Sequence, residues 1–327
     1  MRILLSRTDR VGDLILSTPA IATVRKSFPG AQITMVCSAY NQVVMDRNTD
    51  VDELVSLPRD VKPSAFGSKF RNRVDLAIAL APRGEDFELI GATRAKARVG
   101  YTYVRRYLAR LSAPLYVTKL ALSSADPAFS ERFADRPVLH EVDQLLDVVA
   151  AAGARERVRD LRIDVRDSDR AAVSFLPQGA LVLHLGLRWF SVGSTLQSTI
   201  ALIAQLQSLG LPVIVTHGQE CNEQADLIDA ANVADIVVGG LPFHQWAATF
   251  ERARCVVTVD TGATHVASAM RRPTVVAFEH RYFRLSSQEW APYGVPHALI
   301  RKPADEDERS LVALRAQITQ AVKSLTL

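Results

Sequence analysis

Short aliphatic and β-branched runs alternate with segments of helical period along nearly the whole chain. That alternation restricts the fold to parallel α/β sheets. Arg2–Ser6 (RILLS) reads as a buried strand, residues 13–27 as a helix closed by Pro29-Gly30, and Ile33–Cys37 as a second strand. Together they make one βαβ unit. Leu54–Leu57 and Leu76–Leu80 read as further strands. His140–Ala152 carries Val142, Leu145, Leu146 and Val149 on one helical face, and Gly153 ends it. A charged stretch follows and closes with Pro177-Gln178-Gly179; the domain boundary belongs in it, giving residues 1–170 and 171–327. The pattern then restarts. Strands are expected at Ala180–His184, Pro212–Thr216, Ile236–Val238, Cys255–Val259 and Pro273–Phe278, with helices at Thr199–Ser208, Glu223–Ala230 and about Thr264–Met270. Within Asp305–Leu325 a last helix has Leu311, Leu314, Ile318 and Val322 in register. Two open α/β domains in succession are expected to leave a ligand cleft lined by the carboxyl ends of both sheets.

Composition excludes several classes. A length of 327 residues suits two domains. No apolar run approaches the ~20 residues a membrane span needs, and the three-residue run near Met1 is too short for a secretory signal. Cys37, Cys221 and Cys255 are dispersed and odd in number, so neither a disulfide framework nor a zinc cage is implied. The chain reads as cytoplasmic. Thirty-nine basic against 35 acidic residues give +4, which suits anionic small molecules or an anionic membrane surface and is too little for nucleic acid. Only seven of the basic residues are lysines, and none lies between Lys119 and Lys302.

Two strand-to-helix turns carry the chemistry. In Val259-Asp260-Thr261-Gly262-Ala263-Thr264-His265 a buried strand meets a glycine and a helix opens at once. The helix N–H groups and dipole favour a phosphate or diphosphate there, with Thr261, Thr264 and His265 as further donors. The same turn also reads as an ordinary capped βα connection. The first loop, Ser6-Arg7-Thr8-Asp9-Arg10-Val11-Gly12-Asp13, lacks the GxGxxG dinucleotide fingerprint. Asp13 there reads either as a helix N-cap or as a general base, and the helix dipole is expected to keep it ionised at neutral pH.

The N-terminal RILLSRTDRVGDLILSTPAIATVRKSFPGAQITMV and the later VDTGATHVASAMRRPTVVAF together resemble glycosyltransferase family 9, the heptosyltransferases of lipopolysaccharide assembly. VDLAIAL at 74–80, RVGY at 98–101, HEVDQLLDVVAAAG at 140–153, LVLHLG at 181–186 and APYG at 291–294 agree in order. The resemblance implies a GT-B fold, with two Rossmann-like domains and a C-terminal helix. It implies an ADP-linked heptose donor and inverting transfer, without metal or other cofactor, to a lipid-linked glycan acceptor. By resemblance Asp13 falls on the catalytic base, Asp260, Thr261, Gly262 and His265 on the donor turn, and Arg7 on a basic position near the acceptor. DxD-like triplets at Asp50-Val51-Asp52, Asp167-Ser168-Asp169 and Asp305-Glu306-Asp307 lie in turns or linkers and are not read as metal sites.

The chain also departs from the family. A lysine expected after the first strand of the second domain is missing from LGLRWFSVGSTLQ, leaving Arg188 as the available cation. Glu279 stands where the family carries glycine. Glu220 and Glu223 both fit a ribose-binding acid. Arg105, Arg106 and Arg110 in YVRRYLARL, with Lys62, are candidates for acceptor phosphates or carboxylates, or else form a solvated basic face; Arg10 is a further acceptor candidate. No hydrophobic anchor is expected beside that segment, so any docking on the inner membrane face would be peripheral. Two alternatives are a sugar-nucleotide epimerase on the same scaffold and a non-catalytic sugar-nucleotide or glycan-binding member.

Overall fold

The computed structural model describes residues 1–123 and 138–326. They form two compact units, Met1–Arg162 and Ile163–Leu327. The first holds β1 (Arg2–Arg7), β2 (Gln32–Ser38), β3 (Glu53–Leu57), β4 (Leu76–Ala79), β5 (Ala97–Tyr103) and β6 (Lys119–Ser123), in the order β3-β2-β1-β4-β5-β6. The second holds β7 (Ala180–Leu185), β8 (Val213–His217), β9 (Ile236–Gly239), β10 (Ala253–Val259), β11 (Thr274–Phe278) and β12 (His297–Arg301), in the order β12-β11-β10-β7-β8-β9. Every pairing is parallel. Read from its β9 edge, the second sheet repeats the order of the first. The strand order reverses once in each sheet, between β1 and β4 and between β7 and β10. Ligands of doubly wound sheets bind outside the carboxyl ends of the strands at such switch points.

The helix Val11–Ser27 packs almost its whole middle into the first unit. Pro19 lies inside it and has no N–H for the carbonyl of Ile15. The Thr18 hydroxyl donates to that carbonyl at 2.7 Å, which lets a proline sit in a buried helix. The same Thr18 oxygen accepts from the Arg162 amide at 3.0 Å, and Thr23 Oγ1 accepts from the Val158 amide at 2.9 Å. Ser27 Oγ accepts from the amides of Arg155 and Glu156.

Residues 155–162 are therefore an extended strip bound to the first unit, although their charge reads as linker. The helix Asp167–Ala172 belongs to the second unit, where Arg170 pairs with Glu251 at 2.7 Å. For these reasons the units divide at Arg162/Ile163 rather than near 170. The C-terminal helix Glu308–Thr326 lays Leu314, Ile318 and Val322 into the core around β7, β8, β10 and β11.

Candidate functional site

At the β1/β4 switch point, Arg7 ends β1 and is only 2 % exposed. Its Nε lies 2.9 Å from Asp9 Oδ1, its Nη2 3.2 Å from Asp13 Oδ1 and its Nη1 2.8 Å from Glu141 Oε1. Nη1 also donates to the Leu80 carbonyl just beyond β4, so one side chain ties the two strand ends together. The Tyr101 hydroxyl donates to the same Glu141 oxygen at 2.8 Å. Burial lowers the Arg7 pKa, but Asp9, Glu141 and Asp13 outweigh it and hold that pKa well above its ordinary value. Asp86, buried in the first turn of the helix Gly84–Ala92, accepts from Ser6 and from Thr8, the latter at 3.1 Å. Burial pushes its carboxyl up to about 6, against the pull of those hydroxyls.

Asp13 stands in the first turn of its helix; Arg10 occupies the N-cap position and caps with no side-chain hydrogen bond. Its carboxyl is not held low by the helix dipole, as the sequence suggests. Burial, and secondarily the Asp9 charge, push it up to about 7, while Arg7 pulls the other way. With a side chain 20 % exposed, Asp13 keeps contact with solvent at the strand ends. A carboxylate titrating near neutrality suits general-base work.

The β7/β10 switch point has a parallel construction. Arg188, in the turn after β7, donates to the Asp260 carbonyl just beyond β10 at 2.9 Å and pairs with the Asp260 carboxylate. Thr261 is the N-cap of the helix Gly262–Ala269 but makes no side-chain cap bond to it. Thr264 turns its hydroxyl back to the Val259 carbonyl at 3.2 Å, so it secures the strand end. His265 is buried in the second turn. A Cβ at Gly186 would come within 2.8 Å of Thr261 Cγ2, so a larger residue there must displace that side chain.

The Arg188 turn is anchored from beneath. Lys302 is fully buried, and its Nζ donates to the carbonyls of Arg188 at 2.6 Å and Ser191 at 3.2 Å. Ser191 Oγ donates to Glu279 Oε1 at 3.0 Å. Burial pushes the Lys302 amine down to about 8, opposed by Glu279 and Glu306. Gly193, at φ +81°, lies against Pro303, where a Cβ would come within 2.1 Å of the carbonyl oxygen.

Residues 200–309 match the model of glycosyltransferase family 9 (heptosyltransferase). That match spans about a third of the chain, all of it within the second unit. Lipopolysaccharide heptosyltransferase 3 of Escherichia coli is 21 % identical over 290 residues, which is 84 % of this chain and 83 % of that protein. Two solved structures share the architecture across nearly the full length. The family 9 glycosyl transferase of Veillonella parvula DSM 2008 superposes with a TM-score of 0.77 at 19 % identity, covering 99 % of this chain and 97 % of that one. The E. coli ADP-heptose lipopolysaccharide heptosyltransferase II gives 0.76 at 18 % identity, with coverages of 100 % and 98 %. The fold is the α/β GT-B fold, and the protein is a glycosyltransferase.

Glu279 and the missing lysine have a common structural setting. Glu279 supplies a negative charge and an acceptor beside the buried Lys302–Ser191 anchor, and that anchor carries the Arg188 turn. Lys302→Met removes a charged donor from two carbonyls. It is expected to lower stability by about 2 kcal/mol and to raise KM for the sugar donor more than it lowers kcat, as measured by denaturant titration and steady-state kinetics.

Arg7, expected near the acceptor, is instead buried and engaged by three carboxylates; it positions Asp13. Arg10 is exposed at the mouth of the first helix. Arg106 stacks over Tyr103 at 4.8 Å, and Arg105 and Arg106 immediately precede the helix Tyr107–Ser112, far along the chain from the Asp13 loop. Glu220 folds back over Gly218 at the end of β8, and Glu223 opens the next helix, so both remain at that strand end.

The DxD-like triplets have structural partners. Asp50 pairs with Arg162, Asp52 with Arg25, Asp169 receives the Arg166 amide and Asp307 caps Ser310.

Proposed function

We propose that this protein is a family 9 enzyme that transfers a heptose or related sugar from an ADP-sugar to a lipid-linked acceptor of the lipopolysaccharide-core type, with inversion and without a metal ion. The observation that carries this reading is the Asp13 carboxyl, poised at about 7 at the β1/β4 switch point by burial against the pull of Arg7. Asp13 takes the proton of the acceptor hydroxyl as that oxygen attacks the anomeric carbon. The carbon–oxygen bond to the diphosphate breaks, and ADP departs with the electron pair. The growing charge on the diphosphate meets the N-terminus of the helix Gly262–Ala269 and the Arg188 guanidinium. Thr261, Gly262 and His265 line this donor end, Asp260 orients Arg188, and Glu220 or Glu223 takes the ribose. Arg10 faces the acceptor. The name of the E. coli heptosyltransferase II relative supports ADP-heptose as donor.

No helix among the described residues is long and apolar enough to cross a membrane. The lipid-linked acceptor of this reading is met at the cytoplasmic face of the inner membrane. The test is incubation of ADP-heptose with a delipidated core oligosaccharide, with and without EDTA, read by mass spectrometry and by the anomeric NMR signal. The expected result is an EDTA-insensitive, inverted product. Conversion of the nucleotide sugar without acceptor would instead identify an epimerase, and loss of transfer in EDTA would remove metal independence.

A further inference from the structure

The helix Tyr107–Ser112 and the turn Ala113–Leu115 connect β5 to β6 and bury only Ala113. Leu108, Leu111 and Leu115 recur at i, i+3 and i+7, the spacing of an inward-facing stripe, yet they are 84 %, 77 % and 78 % exposed. Tyr107 and Val104 are exposed beside them. An apolar cluster of this kind on a folded surface marks an interaction site. Its surroundings select the partner. Residues 104–123 contain Arg105, Arg106, Arg110 and Lys119 and no acidic residue. Arg110 is held at the patch by donating to the Val104 carbonyl at 2.9 Å, and Arg106 by stacking on Tyr103.

We propose that this surface docks on an anionic phospholipid bilayer, with the three leucines entering the interface and the arginines meeting lipid phosphates. Leucines on one side with arginines around them form the amphipathic pattern of an interfacial helix. A second copy of the chain is a poorer match, because a two-fold contact through this patch would face its arginines with themselves. The sequence alone places no apolar anchor beside these arginines; the exposed leucine stripe supplies one. The proposal rests on the lipid-linked-acceptor reading for its purpose, but vesicle binding is measured without any sugar.

The full-length protein is sedimented with vesicles of phosphatidylcholine alone or mixed with phosphatidylglycerol. The wild type is expected to pellet with the mixed vesicles, and less so as salt rises. Replacing Arg105, Arg106 and Arg110 by Gln is expected to weaken binding about 100-fold, at about fivefold per arginine. Leu108→Ser with Leu111→Ser is expected to weaken it at least about tenfold, while transfer to a soluble, delipidated acceptor persists. Wild-type protein left in the supernatant with mixed vesicles would overturn the proposal. So would undiminished pelleting of the leucine variant, or a vesicle-free dimer that the leucine variant abolishes. If no form of the protein transfers sugar but vesicle binding follows this pattern, the reaction assignment fails and the docking surface stands.

Discussion

Asp13→Asn is expected to lower turnover by about 10²–10⁴-fold, the usual worth of a positioned general base, while KM for the nucleotide sugar stays within about twofold. Asparagine keeps the size of the side chain and removes its ability to take a proton. In the wild type, kcat/KM should fall about tenfold per pH unit below an apparent pKa near 7. Asp9→Asn provides a positioning test, because Asp9 is the nearby negative charge that helps to hold the Asp13 carboxyl up. Its removal should move the acid limb to lower pH without abolishing activity. Stability gives an independent reading. Between its ordinary pKa and about 7, Asp13 keeps a proton in the native state that the unfolded chain has released. Raising pH through that window therefore removes stability, and the loss is complete above 7. The melting-temperature advantage of Asp13→Asn over wild type should grow from pH 5 to pH 8.

Much of the architecture was legible because buried parallel strands such as RILLS and CVVTV are nearly continuous apolar runs. The stripe Leu311, Leu314, Ile318 and Val322 is buried in the C-terminal helix at the spacing the sequence displays. The apolar-run signal fades at two sheet edges, in one interrupted strand and in short helices. The edge strands β6 and β12 (KLALS and HALIR) carry charges and exposed ends, and β5 is broken by Arg98 and Gly100. The helix Tyr107–Ser112 buries nothing, so its periodicity had no inward meaning.

The same contrast holds at the site. Both switch-point turns announce themselves through a strand followed at once by a helix start. Asp86 and Glu141 do not, since each depends on a contact about 80 or 134 residues away in the chain. A signal was nevertheless present. Each acid lies i−3 or i−4 from buried leucine or isoleucine, Asp86 before Leu89 and Ile90, and Glu141 before Leu145. An acid aligned with a buried helical stripe must have a partner inside the fold. Lys302 is the counterpart in the second unit: a lone lysine at the end of β12 reads as solvated, and its burial under the Arg188 turn follows only from tertiary structure.

Arg7→Met is expected to destabilise the first unit by about 3–5 kcal/mol, the effect of breaking a buried ion pair from one side. Methionine fills much of the arginine stem's volume, so loss of packing is minor. The larger effect is on Asp9, Asp13 and Glu141, which lose the cation that each contacts at 2.8–3.2 Å. Left without it, Asp13 takes up a proton more readily, because its carboxyl is already pushed up by burial and only Arg7 and Arg10 pull it down. The unfolded chain then binds fewer protons than the native state through the mildly acidic range, so the variant should gain stability as pH falls toward 5. Its remaining activity should have an acid limb displaced above 7, opposite to the shift expected for Asp9→Asn. Arg7→Lys is expected to restore only part of the loss, because one ammonium cannot reach Asp9, Asp13, Glu141 and the Leu80 carbonyl together as a planar guanidinium does. A wild-type pH profile in Arg7→Met, with stability reduced, would show that Arg7 braces β1 against β4 without tuning Asp13.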